Sequence, residues 1–251
     1  MDLELAGKKA IVTGGSRGIG KAIARQLALE GVDVGIAARD APRINTATAE
    51  LAAATGRRIV GHSCDTGDDR SVDEMVTALS GALGGVDILV NAAAIPGGIT
   101  PPPKLADVTG EALFAEMNIK VMGYLRCARA VAPFMMAQGW GRIVNVSGLA
   151  ARQSGSILGS IRNVSVSAMT KNLADELGPH GINATVVHPG ATRTERMSDE
   201  VAARVTGNVI GRVVDADEIA YVVAFLASPK SVAITGDAIA CGGGVRGAIH
   251  Y

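Results

Sequence analysis

The sequence predicts an α/β fold, in which one doubly wound parallel sheet of about seven strands carries helices on both faces. Short apolar segments of strand length alternate with helix-length segments along the whole chain, which is the order that βαβ units produce. The strand segments are continuously apolar or small, as expected when both faces of a sheet are covered. A chain of 251 residues can bury a large core without a disulfide or a metal.

The elements follow from hydrophobic periodicity. In the first predicted helix, Ile19, Ile23 and Leu27 share one face, and Gly31 follows where a helix commonly ends. No repeat or linker divides the chain, so residues 1–251 are predicted to form a single domain. The predicted strands are 10–13, 34–38, 59–64, 87–91, 142–147, 182–188 and 238–241, and the predicted helices are 18–30, 71–83, 111–138, 164–177 and 217–226.

Composition argues against several classes of protein. Lys+Arg and Asp+Glu both number 24, so we expect no basic surface for nucleic acid. Cys64, Cys127 and Cys241 are too scattered for a disulfide framework or a zinc site, which favours reduced thiols, a cytoplasmic location and no metal. The sequence contains neither an apolar run of the ~20 residues that span a bilayer nor the features of a signal peptide, so we expect no membrane association.

The strongest functional signal is the glycine-rich segment 13–20, Thr-Gly-Gly-Ser-Arg-Gly-Ile-Gly, which joins the first predicted strand to the first predicted helix. Glycines there allow a tight turn, close approach of the backbone to a pyrophosphate, and close packing of helix on strand. The helix N-terminus offers free N–H groups to the phosphates. We therefore predict a Rossmann fold that binds the phosphates of a dinucleotide through Gly14, Ser16, Arg17, Gly18, Ile19 and Gly20.

The spacing Thr-Gly-x-x-x-Gly-x-Gly resembles the short-chain dehydrogenase/reductase family, and the resemblance extends over essentially the whole chain. Asp65 resembles the family's adenine-contacting aspartate, Asn91-Ala92-Ala93-Ala94 lies where the family has Asn-Asn-Ala-Gly, and 189–194 resembles Pro-Gly-x-x-x-Thr, whose threonine holds the nicotinamide carboxamide. The resemblance implies further cofactor contacts from Asp65, Asn91, Ala93, Pro189, Gly190 and Thr194.

The same resemblance implies an oxidoreductase that acts on a small carbonyl or alcohol substrate. It also implies a homotetramer or dimer, assembled through the two predicted helices 111–138 and 164–177.

The choice of cofactor depends on the end of the second predicted strand. An acidic residue there would bind the ribose 2′-hydroxyl and repel a 2′-phosphate. Ala38 holds that place, Arg39 follows, and Arg17 lies in the glycine-rich segment. Two guanidinium groups suit a phosphate dianion, so NADP(H) is favoured over NAD(H). Arg39 could alternatively stack on adenine without discriminating, or pair with Asp40.

The catalytic region departs from the resemblance. The family takes its proton from a tyrosine whose pKa is lowered by a lysine four residues later, because a phenol with a pKa near 10 is a poor acid at neutral pH. Counting back from 170–174 puts Gly159 at the tyrosine position and Asn163 at the lysine position, while Gly148 stands at the usual serine position. Asn118 matches the family's helix-borne asparagine and is one predicted catalytic residue. The other is Ser147, next to Gly148, which could bind a substrate oxygen if the shortened loop shifts the register, or could be an ordinary serine at the end of a strand.

Several other side chains near this region are candidates to replace the missing groups. Arg162 could clamp an anionic substrate, hold the nicotinamide ribose, or face solvent or an interface. His188 lies near the expected nicotinamide site and is expected to titrate near neutral pH. Lys171 is expected to face outward.

Two functions remain open. The first is an NADP(H)-dependent oxidoreductase with altered proton delivery. The second is a degenerate subunit that serves as a cofactor-binding scaffold, a nucleotide sensor, or the partner of an active relative in a hetero-oligomer.

Overall fold

The central sheet has seven parallel strands. The computed structural model describes residues 1–95, 102–203 and 207–246. Its strands are β1 (Lys9–Thr13), β2 (Asp33–Ala38), β3 (Ile59–Ser63), β4 (Ile88–Asn91), β5 (Gly141–Val146), β6 (Ile182–Pro189), β7 (Thr192–Arg193), β8 (Val214–Asp215) and β9 (Ala238–Cys241). The sheet has the spatial order β3-β2-β1-β4-β5-β6-β9, and β7 pairs with β8 in a separate ribbon.

Helices cover both faces of this sheet. They are α1 (Gly18–Leu29), α2 (Ala41–Thr55), α3 (Asp69–Leu83), α4 (Gly110–Glu116), α5 (Gly123–Gln138), α6 (Ile157–Leu177), α7 (Asp199–Ala203) and α8 (Ala216–Leu226). One buried core joins the sheet to α1, α2 and α8, and a second joins it to α3, α5 and α6. The predicted fold class is confirmed. Within the described residues, no helix is both long enough and apolar enough to cross a membrane.

The helices differ from the sequence prediction in several places, and α6 begins at Ile157, seven residues before its predicted start. Helix α2 was not predicted, because only Ile44, Ala47 and Leu51 form its buried face; the Asp40 carboxylate caps its start by accepting a hydrogen bond from the Arg43 N–H. The predicted helix 111–138 exists as α4 and α5 joined by a π-helical turn over Met117–Met122. A π turn contains more residues than an α turn, so it changes which side chains face the sheet.

The chain order of the strands creates a crevice at one edge of the sheet. Strand β1 pairs with β2 on one side and with β4 on the other, so the connections that follow β1 and β4 diverge. In open parallel sheets, ligands bind at such a switch point, outside the carboxyl ends of the strands.

The opposite edge of the sheet holds the single tryptophan of the chain. Trp140 immediately precedes β5, and its ring centre lies 4.0 Å from Lys8 Nζ and 4.5 Å from Arg142 Cζ. Cations at these distances are attracted to the ring face, so Trp140 is held at the amino end of β5, away from the crevice.

Candidate active site

A cavity of about 1040 Å³ lies at the carboxyl edge of the sheet. It runs from the glycine-rich turn after β1 to the residues that follow β5. The structure brings most of the sequence-predicted site residues to its wall: Gly14, Ser16, Arg17, Gly18, Ile19, Gly20, Arg39, Asp65, Ala93, Ser147, Gly190 and Thr194.

The glycine-rich turn is packed too tightly for side chains, as Gly14 and Gly20 show. Gly14 has φ +69°, and a Cβ atom there would lie 2.8 Å from the Ala92 carbonyl carbon. A Cβ on Gly20 would lie 2.3 Å from the Gly14 carbonyl oxygen. The Thr13 hydroxyl accepts hydrogen bonds from the Ala92 and Ala93 N–H groups at 3.1 and 3.3 Å. The turn is therefore fixed against the segment that follows β4.

The N-terminus of α1 already holds an anionic group. The Gly18 N–H donates to both carboxylate oxygens of Glu195, at 2.9 and 3.1 Å, and the N-cap residue Arg17 makes no side-chain capping bond. Free N–H groups and the helix dipole favour a negative charge at this point. The carboxylate stands in for a phosphate, so the end of the helix is chemically suited to one.

Ion pairing near the end of β2 bears on one of the two alternatives for Arg39, its pairing with Asp40. The Asp40 carboxylate pairs with Arg43 at 3.3 Å, not with Arg39. Within the described residues, neither Arg17 nor Arg39 forms an ion pair, and both line the cavity with Arg43. Two guanidinium groups are thus available to a ligand.

Two predicted cofactor residues lie in β-strands and are not part of the cavity wall. Asn91 is fully buried, and its amide donates to Asn145 Oδ1 at 2.9 Å; Asn145 in turn donates to the Thr170 hydroxyl at 2.9 Å. This chain of bonds ties β4 and β5 to α6. Pro189 is the last residue of β6 and is also buried. Ala93 and Gly190, which follow them closely in the sequence, line the cavity instead.

The predicted catalytic Asn118 is not brought to the cavity. Its side chain is exposed and donates to the Gly67 carbonyl at 3.1 Å. The π turn instead directs Ile119 and Lys120 to the cavity wall. Sequence reasoning missed Lys120, although one signal was available: a lysine flanked by the apolar residues Ile119 and Val121.

Lys120 and Ser147 form a buried polar cluster with Asn163 of α6. Lys120 is 4% exposed, and its Nζ donates to the Ser147 carbonyl at 2.9 Å and to Asn163 Oδ1 at 3.2 Å. The Ser147 hydroxyl donates to the Asn163 carbonyl at 3.1 Å. Burial, together with the charge of Arg162, lowers the pKa of Lys120 to about 7.

Comparison with known proteins identifies the family. A family model described as enoyl-(acyl carrier protein) reductase matches residues 14–246. This chain belongs to the short-chain dehydrogenase/reductase family. Among its relatives are the short-chain reductase protein NovJ of Streptomyces niveus, 34% identical over 94% of this chain and 92% of that protein, and the 3-oxoacyl-[acyl-carrier-protein] reductase FabG of Vibrio cholerae, 34% identical over 97% and 99%.

Solved structures of the same family share the architecture. The L-sorbose reductase of Gluconobacter frateurii, complexed with NADPH and L-sorbose, has a TM-score of 0.90 and 26% identity over 99% of this chain and 100% of that one. A short-chain dehydrogenase of Burkholderia cenocepacia in complex with NADP has a TM-score of 0.83 and 35% identity over 96% and 98%.

The tyrosines of this short-chain dehydrogenase/reductase lie away from the cavity wall wherever they are described. Tyr124 is fully buried, and its hydroxyl donates to the Val146 carbonyl at 2.9 Å; burial raises the pKa of this phenol. Tyr221 is exposed on α8, and Tyr251 lies outside the described residues.

Three other sequence expectations can be compared with the structure. The expectation that His188 titrates near neutral pH is wrong, because burial and the charges of Arg152 and Lys120 lower its pKa to about 4. Arg162 is largely buried and paired with Glu116, so it is not a free clamp. Lys171 is exposed and pairs with Asp175 at 2.5 Å, which confirms that it faces outward.

Proposed function

We propose that this chain is an NADP(H)-dependent oxidoreductase that transfers a hydride between nicotinamide and a small carbonyl or alcohol substrate. The observation that carries the proposal is the continuity of the cavity. One wall includes the glycine-rich turn and the start of α1, and the same space reaches Ser147 and Lys120. A dinucleotide and a small substrate therefore have a common chamber.

The residues present fit such a cofactor. The α1 N-terminus, whose Gly18 N–H donates to the Glu195 carboxylate, suits the pyrophosphate. Asp65 lines the cavity beyond β3 and accepts a hydrogen bond from the Gly67 N–H at 2.9 Å, which fixes the turn beside the proposed adenosine site; Thr194 is proposed to hold the carboxamide. When bound, the reduced nicotinamide supplies the hydride, and the protein supplies position and electrostatics.

The preference for NADP(H) is supported by Arg17 and Arg39. Both guanidinium groups line the cavity without an ion pair among the described residues, and guanidinium groups bind phosphate dianions in bidentate geometry. Asp40 is neutralised by Arg43, which reduces its repulsion of a 2′-phosphate. The complexes of the two related enzymes with NADPH and NADP agree with this preference.

A non-standard route for the proton is also part of the proposal. Gly159 and Asn163 are proposed to stand at the family's tyrosine and lysine positions, and Gly148 at its serine position. A Cβ on Gly148 would lie 2.9 Å from Asn163 Nδ2, and a Cβ on Gly159 would lie 2.8 Å from the Ser156 hydroxyl, which caps α6. The neighbours of both glycines thus fill the space that larger residues would need.

Self-association through α4, α5 and α6 is proposed as well, as a homotetramer or dimer. Large apolar side chains are unusually exposed there, and clustered exposed apolar residues commonly mark interfaces. Light scattering on the purified protein would test this. The side chains are Phe114, Met122, Leu125, Ile157, Ile161 and Val164.

The first experiment is a titration of the purified protein with NADPH and, separately, with NADH, followed by nicotinamide fluorescence and then by turnover with a panel of small aldehydes and ketones. We expect clearly tighter binding of NADPH. Arg39→Glu should weaken the binding of NADPH by about 10–100-fold, because a charged hydrogen bond contributes roughly 1.5–3 kcal/mol. The same substitution should barely affect the binding of NADH. Failure of the protein to bind either dinucleotide would favour the alternative of a non-catalytic partner subunit, and an equal loss of affinity for both dinucleotides in Arg39→Glu would refute the role of Arg39.

A further inference from the structure

The Lys120 side chain is buried at the wall of the cavity, which is an unusual environment for a charged group. Lysine is almost never fully buried unless it is paired, and the hydrogen-bond acceptors of Lys120 are both uncharged. They are the Ser147 carbonyl and Asn163 Oδ1, at 2.9 and 3.2 Å. An ammonium has three donors, so one remains without a partner among the described residues while the side chain borders the cavity.

The charged and titratable groups around Lys120 come from several elements. Glu116, at the end of α4, favours the ammonium, whereas Arg162 on α6 opposes it, and these two residues pair with each other. His188 on β6 is buried and neutral at pH 7 because its pKa is about 4. No carboxylate among the described residues makes an ion pair with Lys120 directly, so its proton is held less tightly than that of a surface lysine.

The other polar groups of this region are poorly suited to deliver a proton. The Ser147 hydroxyl is engaged with the Asn163 carbonyl, and a serine hydroxyl is not an acid at neutral pH without an adjacent base. Tyr124 donates into the core at Val146. His188 is outside the cavity wall, and Asn163 cannot ionise.

We propose that Lys120 is the general acid and base of this site, which donates the Nζ proton to the substrate oxygen during reduction and takes it back during oxidation. The inference rests on the proposed oxidoreductase function and names the residue that completes it. Asn163 and the Ser147 carbonyl are then positioning groups, because they hold the amine at the cavity wall through two of its three donors.

The step balances in atoms and electrons. The carbonyl carbon gains a hydride, with its two electrons, from the reduced dinucleotide, and the C=O π pair moves to oxygen. That oxygen takes one proton from Nζ, which gives an alcohol, an oxidised dinucleotide and a neutral amine. The amine regains its proton from water after the product leaves. A positioned general acid typically contributes 10²–10⁴-fold to the rate, by an order-of-magnitude estimate.

The test compares wild type with Lys120→Gln and Lys120→Met, using NADPH and the carbonyl that wild type turns over fastest in the aldehyde and ketone panel. Gln retains a neutral donor for the Ser147 carbonyl, so it preserves a merely structural contact. We expect both variants to lose roughly 100-fold or more in kcat with unchanged NADPH affinity. Lys171→Gln, on an exposed lysine, is the matched control and should retain activity.

The pH profile provides a readout that a structural role would not change. Wild-type reduction should decline as pH rises through the pKa of Lys120, about 7, because the ammonium is the proton donor. The residual rate of Lys120→Gln should lack this decline.

A second readout needs no turnover. Competitive acetylation with trace acetic anhydride across a pH series, followed by mass spectrometry, reports each neutral amine. Lys120 should become reactive near pH 7, far below the ordinary lysine pKa of 10.5, and bound NADPH should protect it.

The outcomes separate the two proposals. Wild-type turnover that Lys120→Gln retains with the same pH profile would overturn the inference and leave the proposed function intact. A Lys120 that titrates like a surface lysine, or that stays unreactive in the folded protein, would also overturn it. If wild type binds NADPH but turns over no carbonyl in the panel, the proton-donor role is rejected. If wild type does not bind NADPH, the proposed function itself is rejected.

Discussion

The two ends of the cavity are built on different principles. The dinucleotide end is formed mainly by backbone atoms. Glycines at 14 and 20 permit contacts that a Cβ would prevent, and the N–H of Gly18 faces an anion. The substrate end is formed mainly by polar side chains. Lys120, Asn163 and Ser147, from three parts of the chain, form one hydrogen-bonded cluster.

The two ends therefore place different demands on the sequence. A backbone site requires glycine at fixed positions and little else, so it keeps a readable motif. A side-chain cluster can redistribute its charge if its members change together, because only the sum of charges and the hydrogen bonds must be satisfied. Lys120 and Asn163 show such an arrangement, with the charge on the π turn and the neutral amide on α6.

The largest expected effect comes from the backbone end. Gly20→Val places a Cβ 2.3 Å from the Gly14 carbonyl oxygen, so α1 must move away from the turn. We expect loss of measurable NADPH binding and a destabilisation of about 3 kcal/mol or more, similar to severe overpacking of a core. Gly81→Ala, where nothing lies within 4 Å of the added Cβ, is the control. Retained binding in Gly20→Val would show that the turn is not the dinucleotide site.

The next effect tests the substrate end as a unit. Asn163→Lys puts a second ammonium beside Lys120, whose Nζ lies 3.2 Å from Asn163 Oδ1. We expect a destabilisation of about 3 kcal/mol in chemical denaturation, because an uncompensated buried charge costs roughly this much. The double variant Lys120→Asn with Asn163→Lys should recover most of the loss, since it exchanges the two groups. Additive losses in the double variant would mean that the two sites are energetically independent.

A smaller effect, per pH unit, is expected in the dependence of folding stability on pH. The folded pKa of Lys120 is about 7, below the ordinary 10.5, so between these values the unfolded chain holds a proton that the native chain does not. Wild-type stability should therefore rise with pH relative to Lys120→Met, by up to about 1.4 kcal/mol per pH unit. Parallel pH curves for the two proteins in denaturant titrations would contradict this assignment.

The smallest expected effect is a change in NADPH affinity at the N-terminus of α1. Glu195 accepts both hydrogen bonds at the Gly18 N–H and so competes with a phosphate. Glu195→Gln should increase NADPH affinity by about 2–5-fold, corresponding to a helix-terminus charge effect of roughly 0.3–1 kcal/mol. Glu200→Gln, also in an acidic and exposed segment, is the control. Weaker NADPH binding in Glu195→Gln would indicate that the carboxylate assists the ligand.

The strands and the dinucleotide end were predictable from sequence because both depend on local signals. Apolar runs located each of the seven sheet strands to within about one residue at either end, and the glycine spacing located the turn. The missed helix α2 has a sparse apolar face among alanines and threonines, so its periodicity is weak.

The substrate end could not be predicted in the same way. Asn118 was chosen by its local match, yet the π turn over Met117–Met122 places Lys120 at the cavity wall. The importance of Lys120 also depends on Asn163, 43 positions away in sequence. No local pattern encodes a contact of that range.

The position of Trp140 makes its fluorescence a measure of the folding of the sheet. The ring sits at the amino end of β5 between Lys8 and Arg142, and the six residues of β5 separate it from Ser147 by about 20 Å at 3.3 Å per residue. A molecule in the cavity does not touch the indole. Tryptophan emission of the ligand-free protein therefore follows the unfolding of the sheet, while nicotinamide fluorescence in a separate sample follows occupancy of the cavity.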